Sequence, residues 1–272
     1  MAIDIGNTNI TVGLFLNDSE KFIESVAGSA EKKLTNLLSS AWQQVPFVKS
    51  ARVHKKDGVI VVSSVKPAWT KLVEKVCKDK LGEKIKLIGR DVPLPIEMGV
   101  DKPEEVGTDR VVAAAAAFAV VEDAVIVADF GTAVTIDLVD EEGVFMGGII
   151  CPGFELSAEA LKSGTAKLPK VKVKKPAGPI GGNTRDAINC GLYYSAVGVL
   201  RTIAEKYAEE LEKWPQTIVT GPAANLIKDD CDFVDSWVPN LVVKGIVLTY
   251  KKYLADRAEF TETVAKLKRK NN

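Results

Sequence analysis

Two short stretches written in the same grammar constrain this chain most. Ala2-Ile3-Asp4-Ile5-Gly6-Asn7-Thr8-Asn9-Ile10-Thr11-Val12-Gly13-Leu14-Phe15 opens it, and Ala128-Asp129-Phe130-Gly131-Thr132-Ala133-Val134-Thr135-Ile136-Asp137 lies in its middle. Each reads as an apolar strand, an Asp-x-Gly corner, a hydroxyl or amide residue, and a second alternating strand. A single Asp-x-Gly fills ordinary hairpin turns. Two copies on apolar strands, each with a threonine close behind the glycine, point instead to an internal duplication. Such a corner gathers one carboxylate and several backbone N–H groups. A residue without Cβ lets backbone approach a ligand, and successive amides make an anion nest. Asp4 and Asp129 offer hard oxygens to Mg²⁺ or an alkali cation, while Thr8 and Thr132 offer hydroxyls to phosphate. No Gly-x-x-x-x-Gly-Lys-Ser/Thr loop and no Gly-x-Gly-x-x-Gly fingerprint supplies a rival phosphate site. The expectation is a two-lobed phosphotransferase that grips phosphate with hairpin turns.

Composition narrows the class without adding to the chemistry. A chain of 272 residues makes one large domain or two ordinary ones. Lys plus Arg equals Asp plus Glu, 36 each, so no overall field draws the chain to nucleic acid or to a membrane surface. The apolar run Val111 to Val121 is too short for a membrane span, and a strand begins too early for a leader segment; a cytoplasmic enzyme is expected. Cys77, Cys151, Cys190 and Cys231 form no Cys-x-x-Cys pair and read as free thiols in a reducing compartment. The one histidine, His54, falls in the basic segment Arg52-Val53-His54-Lys55-Lys56 and reads as a loop residue. Proton chemistry is therefore expected from carboxylates.

In chain order, the patterning predicts a helix over 31–43, a buried strand over 59–65, a helix over 69–80 and a strand over 85–88. Val92-Pro93-Leu94-Pro95 is extended by its prolines. Gly107-Thr108-Asp109-Arg110 opens a long helix to Val121. After the Asp129 strand pair come a strand over 144–150, a helix over 154–163, and an alternating Val/Lys stretch over 167–175 that reads as a solvated sheet edge. A helix over 185–213, a strand over 217–220 ending on Gly221-Pro222, and a helix over 245–254 follow. The expected division is 1–117 and 118–258, with a cleft between the lobes, and a polar tail over 259–272 whose last residues fray.

Several residues carry two readings. Asp109 in a first helical turn favours the macrodipole by ~0.3–1 kcal/mol, with Thr108 as a cap; it also suits a general base for a substrate hydroxyl, with Arg110 beside it to hold an anion. Thr184 serves as an N-cap or as a hydroxyl facing a ligand. Gly147-Gly148 reads as a strand bulge, and Gly181-Gly182 as a helix-start loop. The 185–213 helix has a core face at Ile188, Leu192, Ala196, Val199 and Ile203, with Tyr193, Tyr194 and Val197 away from it. A second apolar stripe of that kind predicts a two-fold homodimer.

Taken together, Asp4-Ile5-Gly6-Asn7-Thr8-Asn9, Gly107-Thr108-Asp109-Arg110, Asp129-Phe130-Gly131-Thr132-Ala133, Gly147-Gly148-Ile149-Ile150-Cys151-Pro152-Gly153 and Gly182-Asn183-Thr184 resemble the type III pantothenate kinases. These belong to the superfamily of actin, the sugar kinases and acetate kinase. The resemblance implies an α/β fold of two ribonuclease-H-like lobes around a central cleft. It also implies ATP-dependent phosphorylation of pantothenate to 4'-phosphopantothenate, the first step toward coenzyme A. On it, Asp4, Ile5, Gly6, Asn7, Thr8, Asn9, Ile10, Thr11 and Thr132 would hold ATP with Mg²⁺. Asp109 would be the catalytic base. Val100, Gly107, Thr108, Asp109, Arg110 and Thr184 would line the pantothenate site, and Asp129 would bind a monovalent cation, K⁺ or NH₄⁺. The family's active form implies a homodimer, with no nucleic acid or membrane partner. This chain has Val100 where the family usually carries a tyrosine, Thr108 where it carries alanine, and Gly221-Pro222 in place of a glycine pair. The rival classes are a non-catalytic transcription accessory protein on the same fold and an exopolyphosphatase-like enzyme with water as acceptor.

Overall fold

The computed structural model describes residues 1–17, 19–48 and 55–270; His54 lies outside them. Two compact units divide the chain: residues 1–96, 104–116 and 242–272 form the first, and 97–103 with 117–241 the second.

The first unit is built on β1 (Ala2–Ile5), β2 (Asn9–Leu16), β3 (Ser19–Ala27), β4 (Ile60–Ser64) and β5 (Ile85–Leu87), in the order β3-β2-β1-β4-β5. β1 runs antiparallel to β2 and parallel to β4. Ile3, Ile5, Ile10, Val12 and Leu14 are buried here, each apolar side chain being worth about 1.5–3 kcal/mol when fully removed from water. Helix α1 (Glu31–Gln43) buries Leu34, Leu38, Ala41 and Trp42. Helix α2 (Pro67–Val76) starts with a proline at its first turn, where the missing N–H costs nothing. It passes into a π turn over Cys77–Leu81, closed by the left-handed Gly82.

The second unit repeats the plan. Its strands are β6 (Glu97–Met98), β7 (Val125–Phe130), β8 (Ala133–Val139), β9 (Val144–Pro152), β10 (Gln216–Thr220) and β11 (Ser236–Trp237), in the order β11-β10-β7-β8-β9-β6. As β1 does, β7 pairs antiparallel with the strand that follows it and parallel with a strand from much later. Removing β6 leaves the same topology as the first sheet, so the duplication read from two corners extends to whole units. Flanking it are α4 (Phe154–Ser163) and α5 (Thr184–Glu210). The α3 helix (Thr108–Val121) carries residues of both units.

Four expectations need correction. The last helix, α6, spans Leu241–Lys270, far longer than 245–254; the last two residues of the expected tail lie outside the described residues. It groups with the first unit rather than the second: Gly245 lies so close to α3 that a Cβ would stand 2.1 Å from the Val112 carbonyl oxygen, and Val243 meets Gly13 of β2. Residues 97–103 move the other way, because β6 pairs with β9. The 167–175 stretch forms no strand. Its alternation comes from extended chain laid on α5, with Val173 against the second core and Lys174 N–H donating to Asn189 Oδ1 at 2.8 Å. Tyr193 belongs to the core of its unit, fully buried, because its hydroxyl donates to the Asp230 carboxylate. Val197 packs there too, which leaves Tyr194 as the exposed member of the expected second stripe.

Candidate active site

The two Asp-x-Gly corners adopt matching positions. Asp4 stands beside Ser63 of β4, and Asp129 beside Thr220 of β10. In the first turn Gly6 N–H donates to the Asn9 carbonyl at 3.0 Å, and in the second Gly131 N–H donates to the Ala133 carbonyl at 3.0 Å. Each turn is braced by the glycine that follows β3 in the first unit and β9 in the second. Gly28 N–H donates to the Thr8 carbonyl and Gly153 N–H to the Thr132 carbonyl, both at 3.0 Å. At Gly153 a Cβ would lie 2.3 Å from the Gly131 carbonyl oxygen, so only glycine permits that brace.

Within the first turn the side chains divide by exposure. Asn7, Thr8 and Asn9 are exposed and Asp4 is half-buried. Ile5 and Ile10 are core residues, which leaves only their backbone for a ligand. Thr11 turns its hydroxyl to Ser25 Oγ of β3 at 3.2 Å. In the second unit Thr132 is exposed and Asp129 half-buried.

Asp109 is positioned by its neighbour. Thr108 does not cap its own helix; it is the first helical residue, and the Gly107 carbonyl accepts from Arg110 and Val111 N–H. The Thr108 hydroxyl instead meets Ser63 Oγ at 2.9 Å and accepts from Ser64 N–H at 3.2 Å. Ser63 is fully buried and pairs in register with Asp4, so one short chain of contacts joins the first corner to the start of α3. Asp109 Oδ1 accepts from Arg110 N–H at 2.8 Å. Burial pushes the Asp109 carboxyl above its ordinary range, opposed in part by that N–H and by the Arg110 guanidinium. Gly107 makes room for this conformation, since a Cβ there would stand 2.5 Å from Asp109 Oδ1. Serines 63 and 64 were not singled out from sequence; two hydroxyls ending an otherwise apolar strand were the available signal.

The remaining expected residues sit in the second unit. Val100 is half-buried next to Gly147, whose φ of +94° marks the bulge where β9 slips register against β8. Gly148 allows β9 to close on β8, a Cβ there meeting the Ile136 carbonyl oxygen at 2.2 Å. Thr184 is exposed at the start of α5, but the cap is Asn183, whose side chain accepts from Asp186 N–H at 3.0 Å. Gly221, with φ of +99°, brings the loop after β10 close to Asp129 and Phe130. All four cysteines are free, and burial pushes the Cys77 thiol up to about 12. Among the described residues, no helix is long and apolar enough to cross a membrane.

A duplicated strand–corner–strand unit with these corner chemistries also has counterparts among known proteins. The type III pantothenate kinase family model matches residues 1–206. The chain is 32% identical over 253 residues to the type III pantothenate kinase of Dehalococcoides mccartyi, covering 92% of this chain and 96% of that one. It is equally identical to the enzyme of that name from Syntrophotalea carbinolica, covering 92% and 97%. Among solved structures it resembles one described as a conserved Baf family transcriptional activator from Campylobacter jejuni, with a TM-score of 0.58, 18% identity and coverage of 92% and 97%. It also resembles one described as a 2-dehydro-3-deoxygalactonokinase from Sinorhizobium meliloti, with a TM-score of 0.53, 9% identity and coverage of 91% and 97%. At such identities the structural likenesses speak to the fold alone. The sequence likenesses speak to more: this chain belongs to the type III pantothenate kinase family.

Proposed function

We propose that the protein transfers the terminal phosphoryl group of ATP to the primary hydroxyl of pantothenate, giving ADP and 4'-phosphopantothenate. The observation that carries the chemistry is Asp109, a carboxylate with a raised proton affinity, hooked through Thr108 and Ser63 to the strand that bears Asp4. An ordinary carboxylate is a weak base at neutral pH, and burial moves this one toward the working range. Asp109 takes the hydroxyl proton as the hydroxyl oxygen bonds to phosphorus and the bond from phosphorus to the ADP oxygen breaks. Phosphoryl transfer needs little else from a protein beyond positioning and charge stabilisation. Arg110, next in the chain, supplies a cation for the pantothenate carboxylate.

The residues of the first turn fit a magnesium–nucleotide complex. Among the described residues, no three His, Cys, Asp or Glu side chains converge to hold a metal by themselves. Magnesium suits one carboxylate together with water and phosphate oxygens, and Asp4 beside exposed Asn7, Thr8 and Asn9 is such a donor set. Bound there, the ion would neutralise charge on the phosphates. Thr132 contributes a hydroxyl to ATP, Val100 and Thr184 contact pantothenate, and Asp129 holds a monovalent cation. A homodimer in the cytoplasm completes the reading.

Coupled ADP release with and without pantothenate tests it. The expected result is ADP formed only with pantothenate, one for each 4'-phosphopantothenate. Release without acceptor would place the protein among phosphohydrolases, and none under either condition would make it a non-catalytic relative.

A further inference from the structure

Neither corner carries a cation of its own. Residues 4–11 and 129–135 contain no lysine or arginine, although a triphosphate is strongly anionic. The fold delivers one to the first corner. Lys66 caps α2 just beyond β4, its N–H donating to Ser64 Oγ at 3.1 Å and its carbonyl accepting from Trp69 and Thr70 N–H at 3.0 and 3.1 Å. With the backbone pinned, the half-buried side chain reaches the turn, where Nζ donates to the Asn7 carbonyl at 2.8 Å. The same ammonium lies 3.5 Å from the centroid of the Trp69 ring. Trp69 in turn lies against Gly28, where a Cβ would overlap the ring at 1.9–2.4 Å, and Gly28 braces Thr8. Lys66, Trp69 and Gly28 therefore hold both middle residues of the turn.

A staple for the turn needs only a donor to the Asn7 carbonyl. An ammonium has three N–H groups; the carbonyl takes one, and the ring face screens part of the charge without neutralising it. The second unit, with the same topology, has no lysine in this place. After Thr220, the register equivalent of Ser63, the chain turns through Gly221 and Pro222. We infer that Lys66 is a further nucleotide-binding residue, its ammonium held by the Asn7 carbonyl and the Trp69 ring so that it engages a phosphate oxygen of ATP at the first turn. This rests on the assignment of residues 4–11 to ATP.

The test uses the full chain with Lys66→Gln, which keeps a donor for Asn7 but removes the charge, together with Lys66→Arg and Thr8→Val. In steady-state ADP release, Lys66→Gln should raise KM for ATP about tenfold or more, the worth of a charge-assisted hydrogen bond. KM for pantothenate and Tm should stay near wild type, and Lys66→Arg should recover most of the loss. Trp69 gives a second readout. ATP should change the fluorescence difference between wild type and Trp69→Phe, and that change should vanish in the Lys66→Gln background. An unchanged KM for ATP in Lys66→Gln, with Thr8→Val impaired, overturns the lysine and keeps the turn. If neither variant alters KM for ATP, the assignment of the turn to ATP falls as well.

Discussion

The hydroxyl of Thr108 lies 2.9 Å from that of the fully buried Ser63, and this pair ties the helix bearing Asp109 to the strand beside Asp4. Removing Thr108 strands the Ser63 hydroxyl and the Ser64 N–H together. Thr108→Val should cost about 1–3 kcal/mol, the penalty for a buried hydroxyl left unpaired. Ser63→Ala should cost less, because the Thr108 hydroxyl still accepts from Ser64 N–H, and the double variant should lose clearly less than the sum, because the Ser63 hydroxyl that Thr108→Val strands is then gone. Urea unfolding of the four proteins measures the coupling; strictly additive losses would mean that the contact contributes nothing. Turnover should fall in both single variants as the start of α3 loosens.

Asp109→Asn should act in opposite directions on activity and stability. Loss of the base should lower kcat by about 10²–10⁴-fold. The stability effect follows from the raised folded-state affinity for a proton. Between the ordinary carboxylate range and the raised value, the folded state binds more protons than the unfolded state, so stability falls as pH rises through that window. Asparagine removes this penalty. The variant should therefore melt higher than wild type at neutral pH, and the two should converge below the ordinary carboxylate range. A variant that keeps over half of wild-type turnover would leave Asp109 with a helix-start role only.

How far the chain was legible depended on whether a signal was local. The corners at Asp4 and Asp129, and helices such as 31–43 and 154–163, rest on neighbouring residues and were placed at once. β3 was not read, because Ser19, Glu20, Lys21, Glu24 and Ser25 hide an edge strand whose pairing to β2 is a tertiary matter. β6 and β11, two residues each, are strands only through their partners. The cap is Asn183, one residue before Thr184, for which the sequence leaves capping and ligand contact both open. Lys66 escapes sequence reading for the same reason as Ser63: its contact with Asn7 joins residues remote in sequence and is made only by folding.

Gly221 should tolerate no side chain. Its φ of +99° is strained for other residues, and a Cβ would lie 2.4 Å from Asp129 Oδ1 and 2.5 Å from Phe130 N. Gly221→Ala should destabilise by more than about 1 kcal/mol, whereas Gly178→Ala, with nothing within 4 Å of its Cβ, should stay within about 0.5 kcal/mol. If Asp129 holds the monovalent cation, wild type should be faster in K⁺ than in Na⁺ at constant ionic strength. Asp129→Ala should abolish that preference and Gly221→Ala should blunt it. Equal wild-type rates in the two salts would remove the cation from Asp129.

Assembly can be tested on the exposed face of α5. Gly191 and Gly198 have nothing within 4 Å of an added Cβ, and Tyr194 stands between them, 37% exposed. In an isolated chain, Gly198→Ala should stabilise by about 0.5–1 kcal/mol, because glycine in a helix loses more backbone entropy than alanine. A homodimer closed through this face changes the expectation, since an added side chain would then push the partner away. Gly198→Trp should convert the dimer to a species near the 29.3 kDa chain mass, with its secondary structure intact and its turnover reduced. Sedimentation at micromolar concentration decides the matter. A wild-type chain that already sediments as a fully active monomer would exclude the homodimer, and Gly198→Trp would then leave its mass and activity unchanged.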